Sequence, residues 1–249
     1  MSDGTTVEPA PATSPGVIRD GALIRARGVT KVYRQGDLEV HALRGIDLDI
    51  AESEFTALAG PSGSGKTTLL NLVGALDSPT TGTVEVAGRD VATLGKGAAA
   101  DFRLDTVGFI FQAYNLVPVL TAYENAEFTL LLRGVEGGER RRIVEPLLER
   151  VGLADMMHRK PHELSGGQQQ RVAVVRALAT HPEIVLADEP TANLDSETSA
   201  SLLDLMAELN GEMGTTFVFS THDPTVSERA RRVVELLDGR VHRARSGSG

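Results

Sequence analysis

The chain has 249 residues, 41% of them hydrophobic, so it is long enough to bury the core of one large domain or two small ones. Its 25 basic and 34 acidic residues give a formal net charge of −9, which argues against a protein that coats nucleic acid, because phosphate binding requires a basic surface. The absence of cysteine excludes a disulfide framework, and no apolar run approaches the roughly 20 residues that a membrane-spanning helix needs.

The two ends of the chain differ in composition from the rest. Residues 1–21 are rich in proline, threonine and serine, and they lack the basic start and apolar segment of a secretory signal. We therefore expect a flexible tail over 1–21, a second one over 246–249, and a cytoplasmic protein between them.

Hydrophobic patterning predicts strands and helices in an α/β order. Strand patterns occupy residues 22–33, 43–50, 54–60, 82–88 and 107–112, and a helix is predicted directly after residue 66. A helical block follows over about 123–179, and strands return at 184–189, 215–221 and 231–241, with a helix near 197–210. The pattern predicts a parallel-sheet core that a helical subdomain interrupts.

A phosphate-binding loop stands between the third strand and the first helix. GPSGSGKT, residues 60–67, has glycine, lysine and threonine at every fixed position of the pattern G-x-x-x-x-G-K-[ST]. Glycines allow consecutive backbone N–H groups to converge on phosphate oxygens. Lys66 is then expected at the β- and γ-phosphates, and the Thr67 hydroxyl at Mg²⁺. A glycine-rich turn before a helix is the structural alternative, but the strand and helix on either side favour the nucleotide site.

An acidic pair ends the apolar stretch IVLADE. Four apolar residues suit a strand that is buried on both faces, and Asp188 at its end can reach the Mg²⁺ shell beside the phosphate loop. Glu189 follows where a carboxylate can polarise an attacking water. Alone, such a pair could be a surface feature; together with the phosphate loop it predicts phosphoryl transfer.

A second anion-binding pattern, LSGGQ, spans residues 164–168 and precedes the helical pattern QQQRVAVVRALA. Backbone N–H groups and the helix dipole favour an anion there. Its five residues include no charged catalytic group, so the chain carries two predicted phosphate sites of different kinds.

The ordered motifs GPSGSGKTT, VGFIFQ, LSGGQ, IVLADE, NLD and STHD make residues 22–245 resemble the nucleotide-binding subunits of ABC transporters. The resemblance implies a P-loop NTPase fold of the α/β class, with a RecA-like core and an antiparallel β subdomain over 22–112 and 180–245. It also implies an inserted α-helical signature subdomain over about 113–179. Ala187 and the segment TANLD depart slightly from the family pattern, and neither departure removes a catalytic group.

The resemblance implies that ATP is the nucleotide and Mg²⁺ its metal, with Tyr33 stacked on adenine. The nucleotide-binding residues that it implies are Tyr33, Gly60, Pro61, Ser62, Gly63, Ser64, Gly65, Lys66, Thr67 and Thr68.

The resemblance also implies the catalytic and metal-binding roles. Glu189 becomes the general base, His222 the residue that contacts the γ-phosphate, and Gln112 the sensor of metal and water. Lys66 completes the catalytic set, and the implied metal site consists of Thr67, Gln112 and Asp188. The ordinary structural explanation is a strand aromatic for Tyr33 and a strand-end position for Gln112 and His222; the motif order favours the functional roles.

The remaining motifs imply a partner. In the family, the signature residues of one subunit close over the nucleotide of a second copy, so two chains packed head to tail form two composite sites. The implied signature residues are Leu164, Ser165, Gly166, Gly167 and Gln168, and the implied D-loop residues, which communicate between the copies, are Asn193, Leu194 and Asp195.

Segments such as YRQGDLEVHALRGIDLDI further resemble the lipoprotein-releasing and macrolide-exporter branch. That branch implies a separate four-helix permease with an extracytoplasmic domain, which holds the ATPase at the inner face of the cell membrane, and no nucleic-acid partner. It implies mechanotransmission, with a lipoprotein, lipid, peptide or amphipathic drug as cargo. Residues 113–118 are expected to line the permease groove. A division-associated regulatory ATPase and an ABC ATPase of DNA repair or translation are the alternatives.

Overall fold

The computed structural model describes residues 21–36 and 38–247. Residues 1–20 of the tail predicted over 1–21, and residues 248 and 249, lie outside the described part. The strands are β1 (Ala22–Gln35), β2 (Leu38–Ala51), β3 (Phe55–Ala59), β4 (Thr81–Val86), β5 (Arg89–Asp90), β6 (Val107–Phe111), β7 (Ile184–Asp188), β8 (Thr216–Thr221), β9 (Arg232–Leu237) and β10 (Arg240–Ser246). The helices are α1 (Lys66–Val73), α2 (Lys96–Thr106), α3 (Ala122–Leu132), α4 (Gly137–Arg150), α5 (Gly166–Leu178), α6 (Ser196–Met213) and α7 (Pro224–Ser227).

A six-stranded sheet in the order β10-β9-β3-β8-β7-β6 forms the centre of the molecule. Its strands from β9 to β6 run parallel, and β10 pairs antiparallel with β9 at the edge. The apolar strands β3, β7 and β8 are buried along almost their whole length, as expected for parallel strands that are covered on both faces. The carboxyl ends of β3, β7 and β8 therefore meet at one edge, where α/β folds bind ligands.

The predicted antiparallel β subdomain is present as a separate four-stranded sheet in the order β2-β1-β4-β5. In β1 the buried Ile24 and Ala26 alternate with the more exposed Arg25 and Arg27, which is the pattern of a sheet with one covered face. One hydrophobic cluster joins this face to α1 and to one face of the central sheet. The cluster holds β1 beside the loop that opens α1.

The helices α3, α4 and α5 pack together and against β6. The contact between α5 and β6 is close, because a Cβ at Gly108 would come within 2.4 Å of the carbonyl oxygen of Ala177. Helix α3 begins with a capping box, in which Thr121 and Glu124 each accept a hydrogen bond from the other's backbone N–H. No helix in the described part of the chain is both long and apolar enough to span a membrane.

Several elements differ from the sequence-based expectation. No helix was predicted between residues 89 and 106, where α2 lies, because only Phe102 and Thr106 of that helix are buried and its periodicity is weak. The strand predicted over 231–241 is a hairpin of β9 and β10, and it turns at Asp238 and Gly239, both with positive φ. Strand β10 continues to Ser246, one residue into the stretch predicted as a tail.

Candidate functional site

The phosphate loop joins the end of β3 to the start of α1. Gly60, Gly63 and Gly65 have φ values of 149°, 78° and 103°. A Cβ at Gly60 would lie 2.2 Å from the carbonyl oxygen of Leu236, and one at Gly65 would lie 2.7 Å from that of Ala42. Both glycines are therefore required by backbone conformation and by close packing.

Lys66 lies in the first turn of α1 and is almost fully buried. Its Nζ donates hydrogen bonds of 2.8 Å and 3.0 Å to the carbonyl oxygens of Gly60 and Pro61, so the side chain folds back over the loop that precedes it. The same Nζ lies 3.9 Å from Oε1 of Glu189. The cation is thus held directly beside the backbone N–H groups that open the helix, where an anion is favoured.

Thr67 and Asp188 meet although they are 121 residues apart in the sequence. The Thr67 hydroxyl donates a 2.9 Å hydrogen bond to Oδ1 of Asp188, because β7 ends beside the first turn of α1. Ser220, near the end of β8, donates a 2.6 Å hydrogen bond to the same carboxylate oxygen. Hydroxyl and carboxylate oxygens are the ligand types that Mg²⁺ prefers, so these residues fit a magnesium site next to the phosphate loop.

Glu189 and His222 face each other directly after the neighbouring strands β7 and β8. The His222 Nδ1 atom lies 3.1 Å and 3.0 Å from the two carboxylate oxygens of Glu189. Because an ionised carboxylate only accepts hydrogen bonds, Nδ1 carries the hydrogen in this pair. Glu189 adopts the left-handed conformation, with φ of 48°, and its backbone N–H donates to the Ser220 hydroxyl at 2.9 Å. This rare backbone conformation turns the carboxylate toward His222 and Lys66.

Tyr33 lies at the far end of β1, in a cluster with two charged side chains. Its hydroxyl donates a 3.0 Å hydrogen bond to Asp77, and Lys31 donates a 2.6 Å bond to the other carboxylate oxygen of Asp77. The Lys31 Nζ also lies 4.9 Å from the centroid of the Tyr33 ring. Burial, followed by the hydrogen bond to Asp77, raises the pKa of Tyr33. Burial alone would raise the pKa of Asp77, but the hydrogen bonds from Lys31, the Ser78 backbone and Tyr33 lower it.

One cleft of about 680 Å³ collects most of the residues predicted to bind nucleotide and catalyse hydrolysis. Its lining residues are Tyr33, Val40, His41, Ala42, Ser62, Gly63, Gly65, Lys66, Thr67, Thr68, Gln112, Asp188, Glu189, Ala192 and His222. The cleft runs from an aromatic ring, past the phosphate loop, to a carboxylate and an imidazole. These three parts suit, in turn, a nucleotide base, its triphosphate and a water that attacks the γ-phosphorus.

Gln112 lines the same cleft but lies one residue beyond the end of β6, whereas the sequence placed it inside the strand. Its side chain is exposed, and its carbonyl oxygen accepts a 2.8 Å hydrogen bond from the Asn193 side chain. The residue is therefore at the start of a loop, and its position depends on how that loop is held.

The residues of LSGGQ do not line this cleft. Ser165 is the N-cap of α5, and it forms a capping box with Gln168, so the helix begins inside the motif. A Cβ at Gly166 would come within 3.6 Å of Leu194, and one at Gly167 within 2.6 Å of Thr198. Asp195 caps the next helix, α6. The structure thus gives one chain both an open cleft at the phosphate loop and a separate helix start that carries LSGGQ.

Several contributors to the site were missed by the sequence analysis, and Val40, Ser220 and Asp77 illustrate the reasons. Val40 stands opposite Tyr33 in the β1–β2 register, and this cross-strand pair could have been found from the hairpin pattern. Ser220 and Asp77 carry no such signal, because their partners Asp188 and Tyr33 are 32 and 44 residues away.

Comparison with known proteins agrees with this geometry. A family model described as "ABC transporter" matches residues 43–192. The chain is 48% identical over 219 residues to the lipoprotein-releasing system ATP-binding protein LolD of Anaeromyxobacter dehalogenans, covering 88% of this chain and 92% of LolD. It is also 48% identical to the macrolide export ATP-binding/permease protein MacB 1/2 of Paracoccus denitrificans, again over 88% of this chain but only 33% of that larger protein.

Among solved structures, the fold is similar to the ATP-binding cassette MJ0796 of Methanocaldococcus jannaschii. That structure, a dimer in a post-hydrolysis state with ADP and phosphate bound, superimposes with a TM-score of 0.83 at 42% identity. The superposition covers 91% of this chain and 99% of the other.

Proposed function

The chain belongs to the ABC transporter family of ATP-binding proteins and is an ATPase, and from this we propose that it powers a separate membrane permease. The observation that carries the proposal is the convergence of Lys66, Glu189 and His222 beside the Thr67–Asp188 pair, all in one cleft.

We assign ATP hydrolysis to residues whose positions suit an in-line attack on the γ-phosphorus. Backbone N–H groups of the phosphate loop and Lys66 bind the phosphates and offset the charge that develops on them. Glu189 accepts a proton from the attacking water, and His222 keeps the Glu189 carboxylate oriented through its Nδ1–H. Gln112, at the edge of the cleft, would contact the attacking water and the metal. Positioning dominates, because phosphoryl transfer leaves little covalent work for the protein.

Magnesium fits the oxygen donors beside the phosphate loop. The Thr67 hydroxyl and the Asp188 carboxylate, 2.9 Å apart, would hold the ion, and Gln112 would reach it from the loop after β6. When bound, the ion would neutralise charge on the β- and γ-phosphates. Ser220 fixes the Asp188 carboxylate through its 2.6 Å hydrogen bond, and so sets the orientation of this donor.

A head-to-tail dimer of this chain would complete each site. The start of α5, with Ser165, Gly166 and Gly167, is an anion-binding helix terminus that lies outside its own chain's cleft. In a closed two-fold dimer the α5 start of one copy covers the cleft of the other, and the same surface serves both copies. The dimeric state of the similar cassette MJ0796 supports this arrangement.

An apolar groove of about 590 Å³ is the proposed docking site for the permease. It lies between α2, β6, α3 and α5, and its floor includes Phe109 and Phe111, whose rings stack 5.7 Å apart. Leu132 lines the groove and is 60% exposed, although it is a large apolar residue. Of the stretch 113–118 that was predicted to line the groove, Asn115 forms part of its wall. An exposed apolar surface of this kind fits an apolar helix of a partner.

The names of the relatives indicate the branch of the family. Similarity to a lipoprotein-releasing ATPase and to a macrolide exporter supports a lipoprotein or an amphipathic drug as the cargo. From the family resemblance we further propose that a lipid or peptide is an equivalent cargo, and that the work is done by mechanotransmission through a four-helix permease with an extracytoplasmic domain. In that assembly the ATPase is held at the inner face of the membrane by the permease.

Co-purification with a candidate permease tests the proposal. The chain and a tagged four-helix permease are expressed together, isolated in lipid nanodiscs and assayed for ATP-dependent phosphate release. Leu132→Asp is expected to abolish co-purification while the free chain keeps its ATPase activity. Leu237→Asp is the matched control, because Leu237 is also exposed but lies on β9, outside the groove. Retention of the Leu132→Asp chain on the permease would contradict docking in this groove.

A further inference from the structure

The loop that follows β6 is held by side chains from elsewhere in the chain. Its carbonyl oxygens at Gln112, Tyr114 and Asn115 each accept a hydrogen bond from a side chain of α5 or of the D-loop. The donors are Asn193 to Gln112 at 2.8 Å, Arg176 Nη2 to Tyr114 at 2.8 Å and Arg176 Nη1 to Asn115 at 2.5 Å. Arg176 therefore binds two consecutive carbonyl groups, two and three residues beyond Gln112.

The two residues that Arg176 holds have an unfavourable backbone conformation. Tyr114 and Asn115 have φ values of 57° and 50°, in the left-handed region that residues with a side chain rarely adopt. Such conformations are unfavourable, more so for tyrosine than for asparagine, and they persist where the surroundings fix them. The two hydrogen bonds from the Arg176 guanidinium are charge-assisted, and so stronger than bonds between neutral groups.

Arg176 itself is placed in an environment that disfavours its charge. Burial lowers the pKa of its guanidinium. Within residues 21–36 and 38–247 no carboxylate forms an ion pair with Arg176, and its hydrogen bonds go to the two loop carbonyls. Partly burying a cation without a counter-ion is costly, and the hydrogen bonds to the two loop carbonyls offset part of that cost.

The other end of α5 contacts the same loop. The hydroxyl oxygen of Tyr114 lies so close to Gly166 that a Cβ there would come within 2.8 Å of it. Gly166 is the first residue of α5, and Arg176 lies ten residues further along, about 15 Å at the rise of an α-helix. Tyr114 thus contacts α5 at the signature glycine with its hydroxyl, and near the other end of the helix through its carbonyl group.

We propose that Arg176 is a positioning residue for Gln112, which ties the loop after β6 to α5 so that Gln112 and the signature motif move as one body. The inference rests on the proposed role of Gln112 in hydrolysis. Arg176 does not line the nucleotide cleft, although it lines the groove proposed for the permease. In the free chain we therefore expect its effect on the reaction to pass through the loop that carries Gln112. It makes the position of Gln112 depend on the position of the helix that closes over the partner's nucleotide.

A double-mutant cycle on the full chain tests the inference. Steady-state kcat and KM for ATP are measured for Arg176→Ala, Gln112→Ala and the double variant. We expect Arg176→Ala to lower kcat by at least about ten-fold with KM within about two-fold, because a small displacement of a positioned group is enough to slow turnover. In the Gln112→Ala background the same change is expected to have no further effect. Independent, multiplicative losses in the double variant would overturn the inference.

Arg133→Ala is the matched control. Arg133 also donates a guanidinium hydrogen bond, at 3.0 Å, to a backbone carbonyl, that of Thr180, but it does not touch the loop. It is expected to keep the kcat of the unaltered chain, and an equal loss there would show a general stability effect and overturn the specific role. If Arg176→Ala does not fold, Arg176→Lys replaces it in the cycle. Lysine keeps the charge but lacks the two-pronged donor, so a fall in kcat that also disappears in the Gln112→Ala background supports the inference.

Backbone hydrogen exchange separates this inference from the proposed function. Arg176→Ala, or Arg176→Lys in its place, is expected to speed exchange at residues 112–116 whatever happens to turnover. The reason is that the two hydrogen bonds from Arg176, here called the brace, restrain the loop itself. Normal turnover of Gln112→Ala would refute the catalytic role of Gln112, and faster exchange in the Arg176 variant would still support the brace. Unchanged exchange and unchanged kcat in that variant would overturn the inference while the ATPase assignment stands.

Discussion

Nδ1 of His222 lies 3.0 Å from the carboxylate of Glu189, although the two residues are 33 positions apart in the sequence. The contact exists because β7 and β8 are neighbours in a parallel sheet, so the residues that follow them leave the sheet at the same edge. An acid and an imidazole are thereby held beside Lys66 and the phosphate loop.

Glu189→Gln should stop hydrolysis without removing nucleotide binding. The amide keeps the size of the side chain but cannot accept a proton from water, so kcat is expected to fall at least about a hundred-fold. Phosphate release measures turnover, and gel filtration with millimolar ATP should show a trapped dimer. Glu149→Gln, at an exposed position on α4, is the control and should hydrolyse ATP normally. A Glu189→Gln chain that stays monomeric with ATP and its permease present would refute the composite-site dimer.

His222→Ala removes the group that orients Glu189. We expect kcat to fall by about ten- to a hundred-fold, because the carboxylate loses its hydrogen-bonded partner and its fixed direction. The affinity for ATP, measured by titration calorimetry, should change little. His158→Ala is the matched control, since His158 is an exposed histidine that does not line the cleft. Turnover by His222→Ala at the rate of the His158 variant would exclude His222 from the reaction.

Lys66→Ala should act on binding itself. Hydrogen bonds to charged groups contribute about 1.5–3 kcal/mol, so the Kd for ATP is expected to rise roughly ten- to 150-fold. Equilibrium binding of a fluorescent ATP analogue measures the change, and thermal unfolding checks that the loop still folds without the bonds from Lys66 to Gly60 and Pro61. An unchanged Kd in a folded variant would remove Lys66 from its assigned position at the phosphates.

Tyr33→Ala should weaken binding of the base and spare binding of the phosphates. Stacking of a base on an aromatic ring contributes about 1–3 kcal/mol, so the Kd for ATP is expected to rise roughly five- to 150-fold. Inorganic tripolyphosphate, which has no base, should bind the variant and the unaltered chain equally. Equal losses for both ligands would mean that Tyr33 supports the phosphate loop instead of the base.

Asp77→Asn tests whether the ring of Tyr33 needs its anchor. The substitution weakens the bonds to the Tyr33 hydroxyl and to Lys31, which now fix the ring at the edge of the cleft. A smaller loss of ATP affinity than in Tyr33→Ala is expected, again with tripolyphosphate binding unchanged. If ATP affinity does not change, the ring is held by β1 alone.

Candidate site residues that belong to a local motif could be predicted from the sequence. The phosphate loop, the acidic pair after β7 and the signature motif each consist of neighbours in the chain, whose types and spacing follow from the backbone geometry that they need. The hydrophobic pattern predicted an α/β core with an inserted helical part, and the family resemblance added the antiparallel subdomain; this fold class is confirmed. Helix α2 was missed because its apolar residues are too few to give a helical period.

By itself, the sequence determined which chemical groups this protein has and in which family they occur, because hydrophobic period and motif spacing are local properties. Only the tertiary structure decided which groups meet. Several hydrogen bonds join distant segments, and they depend on strand order and on helix packing. They link Ser220 to Asp188, Tyr33 to Asp77, and Arg176 to the loop after Gln112. Hydrogen bonds of this kind require positions accurate to a few tenths of an ångström, and such positions are set by the packed core as a whole.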